Sequence, residues 1–466
     1  MTERLFGMSP AALRLAIAAG LFGGVVYALS PLTVWFSLAM VLLVRWALQG
    51  LSGGERRWVL ALLLIAIALR VAAVAALFIS TDHTQVPFGV FFGDEEYYIR
   101  RSIWMRNLAL GLPLHTADMI YMFEETGLTS HLNVLAVLQM LVGIAPYGGH
   151  LLGIAFYLAG CVLLHRTVRA GFGPMPAFVG LLVLLSLPSL FAWSVSALKE
   201  PLFFLLTASS VALAISAVRG PGAPRRLLAV AGVIAAAWTL ESIRAGALAL
   251  TAASLCAGLA IALLALHPRL LLATIIVVPV GLGVLLSRPA VQANAYKAVV
   301  GAAGQHWGHV ATPGYVYKLL DDRFYPDKSE ISDMRFNEMM RFIVRAFARY
   351  VTAPEPWSAT SRAALSFVPE QVVWYLLAAF IPVGLLFVFH RDALLAGLLF
   401  GYALVAAATV ALVSGNLGTL VRHRGLALPY LVWISAVGVC ECARWLGSRS
   451  ATPGTVHTLM RAHDVS

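Results

Sequence analysis

Charge is what this sequence lacks. Asp, Glu, Lys and Arg make up only 12% of its 466 residues, 60% are hydrophobic, and mean hydropathy is +0.84. Soluble domains run nearer about 45–50% apolar. The length would allow about three soluble domains, but this composition argues for one membrane-embedded unit. Cysteine is scarce too. Cys161, Cys256, Cys440 and Cys442 all lie in or beside apolar runs, which argues against a disulfide framework. There is no zinc-type Cys/His spacing, glycine-rich phosphate loop, internal repeat or low-complexity stretch. The net charge of +11 therefore does not point to nucleic acid. Arginine-rich loops beside a membrane explain it better. The first apolar run, 11–29, lacks an A-x-A-like cleavage site and reads as a retained helix.

Long apolar runs are what the sequence has. Twelve could each cross a bilayer, which takes about 20 residues: 11–29, 32–49, 58–79, 148–165, 175–192, 201–218, 226–240, 245–266, 269–287, 372–389, 393–413 and 427–445. The expected fold class is therefore all-α, a polytopic membrane protein with about 12 transmembrane helices and two long extracytoplasmic loops carrying interfacial helices. The whole chain, 1–466, is read as a single transmembrane domain. Arg56, Arg57, Arg166, Arg169, Arg219, Arg225, Arg226, Arg269 and Arg391 fall in alternate short loops, with Arg444 and Arg449 in the tail. That asymmetry puts both termini in the cytoplasm. The two long loops, 80–147 and 288–371, then both lie outside, as do the turns near 193–200, 241–244 and 414–426. The apolar segment 131–145 reads as an interfacial or re-entrant helix. In 335–350, Phe336, Met339, Met340, Ile343, Val344 and Phe347 recur at helical spacing opposite Arg335, Glu338, Arg341, Arg345 and Arg349. This is an amphipathic helix, lying on the membrane surface or packed on a small subdomain.

Against so apolar a background, few clusters carry chemistry. FFGDEEYYIRR holds Asp94, Glu95 and Glu96 in succession, followed by Tyr97, Tyr98, Arg100 and Arg101. A carboxylate there is a candidate general base or an oxygen ligand for a divalent cation. The alternative is a solvated loop whose acids pair with the two arginines. Lys199 and Glu200 sit at the mouth of a span, where lysine can meet a lipid phosphate or simply snorkel. Glu241 and Arg244 lie between two apolar runs with hardly any polar loop, as a structural pair or facing a cavity. Arg422, His423 and Arg424 are a candidate anionic-headgroup site, because arginine forks match phosphate oxygens. His306 and His309 flank Trp307 but lack a clear third metal ligand.

These motifs resemble the polytopic GT-C glycosyltransferases, among them protein O-mannosyltransferases and lipid A aminoarabinose transferases. GDEEYY is similar to the acidic D-E-x-x-Y motif of that family's first long outer loop. HLNVLAVLQMLVG, with the span that follows it, is similar to the next segment. SVSALKEPLFF resembles a turn that in the family often reads S-x-x-x-x-(K/x)-(D/E), and VRHRGLALPYL resembles an Arg-rich turn before a late span. The chain departs from the pattern in having three spans before the acidic loop and a charge triple in it. The resemblance implies transfer of a sugar from a polyprenyl-phosphate carrier to a glycan, lipid or protein hydroxyl at the outer face of a bacterial inner membrane. Asp94 and Glu95, with Glu96 in reserve, would be catalytic. Lys199, Glu200, Glu241, Arg244, Arg422, His423 and Arg424 would bind the lipid phosphate, and Tyr97 and Tyr98 the sugar. A divalent cation, Mg or Mn, would sit at the acidic motif if one is used. Competing readings are a polysaccharide polymerase or O-antigen ligase, a transporter or flippase, and an inert scaffold.

Overall fold

The computed structural model describes residues 9–29, 31–124, 129–311, 319, 331–357 and 362–450. Parts of both expected long loops, at 125–128, 312–318, 320–330 and 358–361, lie outside the described residues. Among the described residues there are helices and no strands. In chain order they are α1 (Pro10–Leu29), α2 (Pro31–Leu48), α3 (Gly53–Ser80), α4 (Gly93–Ala109), α5 (Thr116–Met122), α6 (His131–Val142), α7 (Gly148–Phe172), α8 (Pro174–Ser186), α9 (Pro188–Ser194), α10 (Glu200–Arg219), α11 (Ala223–Ile243), α12 (Ala247–Leu266), α13 (Pro268–Leu286), α14 (Pro289–Ala311), α15 (Phe336–Thr352), α16 (Arg362–Arg391), α17 (Ala393–Val413), α18 (Leu417–Arg424) and α19 (Leu428–Ser450).

Several of these helices open on proline, at Pro31, Pro174, Pro188, Pro268 and Pro289. The ring presets the helical φ, and the missing N–H would have had no partner in the first turn anyway. Nine helices of the described residues are long and apolar enough to cross a membrane, eleven if two bent pairs each count as one. The protein is an all-α integral membrane protein. The run expected as one straight span at 175–192 is instead α8 and α9, bent by 69° where Leu187 precedes Pro188, since a residue before proline is pushed out of the helical region. The expected turn 414–426 is largely the short helix α18, bent by 65° from α19. At 12 residues, about 18 Å, α6 is too short to span.

The chain divides into two compact units. One runs up to Leu163 and adds Phe191–Ser209 and Trp238–Ala245. The other comprises Leu164–Leu190, Ser210–Ala237 and everything from Gly246 on.

In the second unit, helices close on glycine. A Cβ on Gly401 of α17 would overlap the backbone nitrogen of Gly258 on α12, and one on Gly397 would overlap the Gly258 carbonyl. Gly397 and Gly401 form a small-xxx-small pair, which brings two helix backbones together where apolar burial gives no preference between a helix and lipid. Gly384 of α16 and Gly438 of α19 do the same for each other's helices, and Gly180 of α8 accepts the Trp433 ring. Two ion pairs fasten helix ends: Arg219 binds Asp392 with two bonds of 2.7 and 2.6 Å, and Arg391 joins Glu441 while donating to the Phe172 carbonyl at 2.7 Å.

The amphipathic segment is α15. Glu338 accepts the Arg335 backbone N–H at 2.8 Å and fixes its start. Phe342, Ala346 and Tyr350 are buried, and Phe342 and Ala346 join a core with Ala303 of α14. Phe336, Met340, Val344, Phe347 and Val351 form an adjoining exposed stripe. Half of the apolar face therefore packs on protein, as the subdomain alternative requires, and half is uncovered.

His306 of α14 is buried with its ring edge-on to Phe342, while His309 Nδ1 contacts the Val413 carbonyl at 2.8 Å. Burial first, then the neighbouring charge of His309, holds the His306 pKa down from 6.5 to about 4, with the Leu412 backbone opposing. A value depressed on folding costs stability as pH falls. The thermal midpoint should drop between pH 6.5 and about 4, and His306→Asn should flatten that slope. Replacing Gly401 by Leu should destabilise the fold by about 1–3 kcal/mol or more, read as a lower midpoint in detergent. On α13, where a Cβ at Gly281 meets nothing within 4 Å, the same change should cost under about 0.5 kcal/mol.

Candidate functional site

The acidic motif opens α4, and the three carboxylates have three different environments. Glu95 is fully buried. Its Oε1 accepts the backbone N–H of Phe92 at 3.1 Å, which caps the helix from its third residue. Its Oε2 accepts Nε2–H of His150 on α7 at 2.8 Å, and His150 is also fully buried. Glu96 is exposed and pairs one turn on with Arg100. Asp94 is exposed in the first turn of the helix, where the backbone dipole suits a negative side chain.

The alternative of acids balanced by the following arginines holds for Glu96, which pairs with Arg100. Arg101 lies about two turns further along the same helix. Fully buried, it donates to the Met122 carbonyl at 3.0 and 2.6 Å, to the Glu124 carbonyl at 2.7 Å and to the Tyr97 hydroxyl, stacking on the Tyr97 ring. It holds the end of α5. Among the described residues no group of three or more His, Cys, Asp or Glu side chains is arranged to hold a metal.

Around α4 the first unit gathers most of the other expected residues. Tyr98 is buried with Leu132, Leu135 and Leu198, and its ring meets His131 edge-on at 6.1 Å. His131, at the start of α6, contacts the Ala197 carbonyl through Nε2 at 3.1 Å. A carbonyl only accepts, so Nε2 carries the proton and Nδ1 is the bare nitrogen. Burial lowers the His131 pKa, opposed by the bond to Ala197 and the charge of Glu200. The turn 195–199 follows, bringing Lys199 and the buried Glu200 at the head of α10. Lys199 Nζ donates to the Ile243 carbonyl at the end of α11 at 3.3 Å. Thr129 donates to the same carbonyl at 2.8 Å, and Ser130 binds Ser242 through backbone and hydroxyl. Glu241 and Arg244, both half-buried, belong to this same turn of chain.

Two glycines let the elements close up. A Cβ on Gly153 of α7 would overlap the Ser196 carbonyl, and one on Gly149 would lie 2.9 Å from the Ala197 Cβ. The 195–199 turn is thereby pressed onto α7 beside His150. Glu95, Tyr98, Lys199, Glu200 and the 241–244 turn thus lie in one packed region of the first unit, with Asp94 on the exposed end of α4.

Arg422, His423 and Arg424 lie in the second unit. Arg424 is buried, donating to Gln371 Oε1 at 2.8 Å and to the carbonyls of Tyr350 and Ala353 at 2.5 and 2.6 Å, between the Tyr350 and Trp374 rings. Expected on a headgroup, it instead ties the end of α15 to α16. Arg422 and His423 are half-buried.

Sequence reasoning missed His150. It stands in GGHLLG at the start of an apolar run, three residues after Tyr147, and nothing local marks it as the partner of an acid 55 residues earlier. Arg70, whose burial beside a counter-ion would have favoured a transporter, is buried in α3, bound to Ser194 Oγ at 2.7 Å and facing the Tyr157 and Phe191 rings.

Replacing Glu95 by Ala leaves the Phe92 N–H and the His150 imidazole without their acceptor. The change should cost about 3–5 kcal/mol, read as a lower thermal midpoint in detergent, while Asp94→Ala should cost under about 0.5 kcal/mol. No family model, curated protein or solved structure matches the chain.

Proposed function

We propose that this protein is a membrane glycosyltransferase that moves a sugar from a polyprenyl-phosphate carrier to an acceptor hydroxyl on the extracytoplasmic face. The arginine distribution favours both termini cytoplasmic, and a bacterial inner membrane is the setting the resemblance implies. The observation that carries the reading is the exposed Asp94 at the head of α4, a helix anchored by the buried Glu95–His150 bond in the unit that also holds Lys199 and Arg244.

In this reading Asp94 takes the proton of the acceptor hydroxyl. The acceptor oxygen bonds to the anomeric carbon as the bond from that carbon to the phosphate oxygen breaks. The polyprenyl phosphate leaves with the bonding pair, and the cations of Lys199 and Arg244 favour its growing negative charge. Tyr97, half-buried at the same helix turn, offers a ring to the sugar. Glu95 and His150 position α4 rather than touch substrate. Arg422 and His423 remain headgroup candidates on the other unit.

A transporter reading has one observation in its favour. Two spans are broken, at 69° and 65°, and Glu370 and Arg424 stand at the breaks. Glu370 accepts Ser189 N at 2.7 Å and the Ser189 hydroxyl. Charged groups at broken helices are where transporters hold substrate.

Purified protein in liposomes, given polyprenyl-phosphate sugars and hydroxyl acceptors, should release polyprenyl phosphate. Asp94→Asn should lower kcat by about 10²–10⁴-fold and Glu96→Gln should not. Full activity of Asp94→Asn alongside loss in Arg422→Ala would favour a polymerase or ligase. Uptake of label without group transfer would favour the transporter.

A further inference from the structure

A cavity of about 1020 Å³ opens in the first unit between α2 and α3, closed on one side by Leu151 of α7. From α2 it is lined by Thr33, Ser37, Met40, Val44 and Leu48, which recur every three or four residues along one face. That stripe is about 22 Å long, longer than the roughly 15 Å hydrocarbon depth of one leaflet. Leu64, Ile67 and Val71 of α3 form the opposite wall. The walls are apolar along most of their length, and the charge is all at one end. There Arg45 and Arg56 both line the cavity, with Gln49 and the Gly50–Leu51 turn. Both arginines are exposed, and neither forms an ion pair among the described residues.

We propose that this cleft holds one anionic phospholipid, its phosphate on Arg45 and Arg56 and an acyl chain along the groove. Length, apolar lining and a cationic end fit an amphiphile with one anionic head. A free anion would use only the end, and a small apolar molecule would leave the arginines unanswered. Two guanidinium forks bind phosphate oxygens with paired hydrogen bonds, which a zwitterionic headgroup returns in part to its own cation.

This lipid would not be the sugar donor. The cationic end lies at the start of α3, and the acidic motif follows its other end. His83 contacts the Phe78 carbonyl at 3.1 Å, and Gly89 packs on Leu77 and Thr81, so the chain leading to α4 stays at the far end. The 28 residues of α3 separate the two places by about 42 Å. The inference is thus independent of the transfer reaction.

Native mass spectrometry of the full chain, released from nanodiscs of mixed phosphatidylglycerol and phosphatidylcholine, tests it. The protein should retain one phosphatidylglycerol in preference to phosphatidylcholine. Arg45→Gln with Arg56→Gln should lower that occupancy about tenfold or more. Val44→Trp, which fills the groove and leaves the arginines in place, should also lower it. Equal retention of both lipids, unchanged retention in either variant, or displacement of the lipid by inorganic phosphate would overturn the proposal.

Discussion

Every helix that ends inside an apolar body leaves backbone groups without water, and in this protein charged side chains answer them. The last carbonyls and first amides of a helix have no partner within it, and in hydrocarbon each orphan is costly. Arg101 takes the carbonyls at the end of α5, Lys199 that at the end of α11, and Arg424 those at the end of α15. Arg391 takes the last carbonyl of α7. The carboxylates serve the opposite ends, Glu95 at the start of α4 and Glu370 at the start of α9. With charge at 12% of residues, such duties absorb much of it.

That constraint decides what is left for chemistry. A carboxylate that caps a helix and accepts from a buried histidine cannot also reach a substrate. Glu95 thus becomes the reason α4 stands where it does, and Asp94, one residue earlier, stands at the exposed rim. The same logic removes Arg424 from any headgroup and gives it to α15 and α16. Arginine suits this use because its five donors lie in one plane, so a single guanidinium answers several carbonyls at once. The neighbouring tyrosine and tryptophan rings compensate part of its lost hydration.

The spans were legible because their signal is additive: about eighteen or more apolar residues in a row need no partner to be recognised. The bends were less so. Pro188 marks a break between α8 and α9, but proline also sits inside α13 and α16, at Pro279, Pro369 and Pro382, without ending them. Whether a proline breaks a span depends on what answers the freed backbone, and at Ser189 the answer comes from Glu370, 181 residues away. The site shows the same limit. GDEEYY is conspicuous in sequence, yet nothing local says that Glu95 faces inward. That follows from a histidine 55 residues on. Gly397 and Gly401 stand four residues apart, and only Gly258 opposite shows what the spacing is for.

The first unit is rigid at one end of α3 and adaptable at the other. Its acidic cluster depends on buried, directional bonds, with Glu95, His131 and His150 all nearly or wholly inaccessible. At the other end of α3, Arg45 and Arg56 are exposed and open onto an apolar cleft. A packed polar network holds one geometry, because any shift leaves a buried group unpaired. A lipid-sized groove tolerates change, since acyl chains follow the walls they meet. Between them α3 carries Arg70, fixed by Ser194 and two aromatic faces. Ser194 directly precedes the 195–199 turn that contacts His131. The rigid end of the unit is therefore tied into the body of α3 itself.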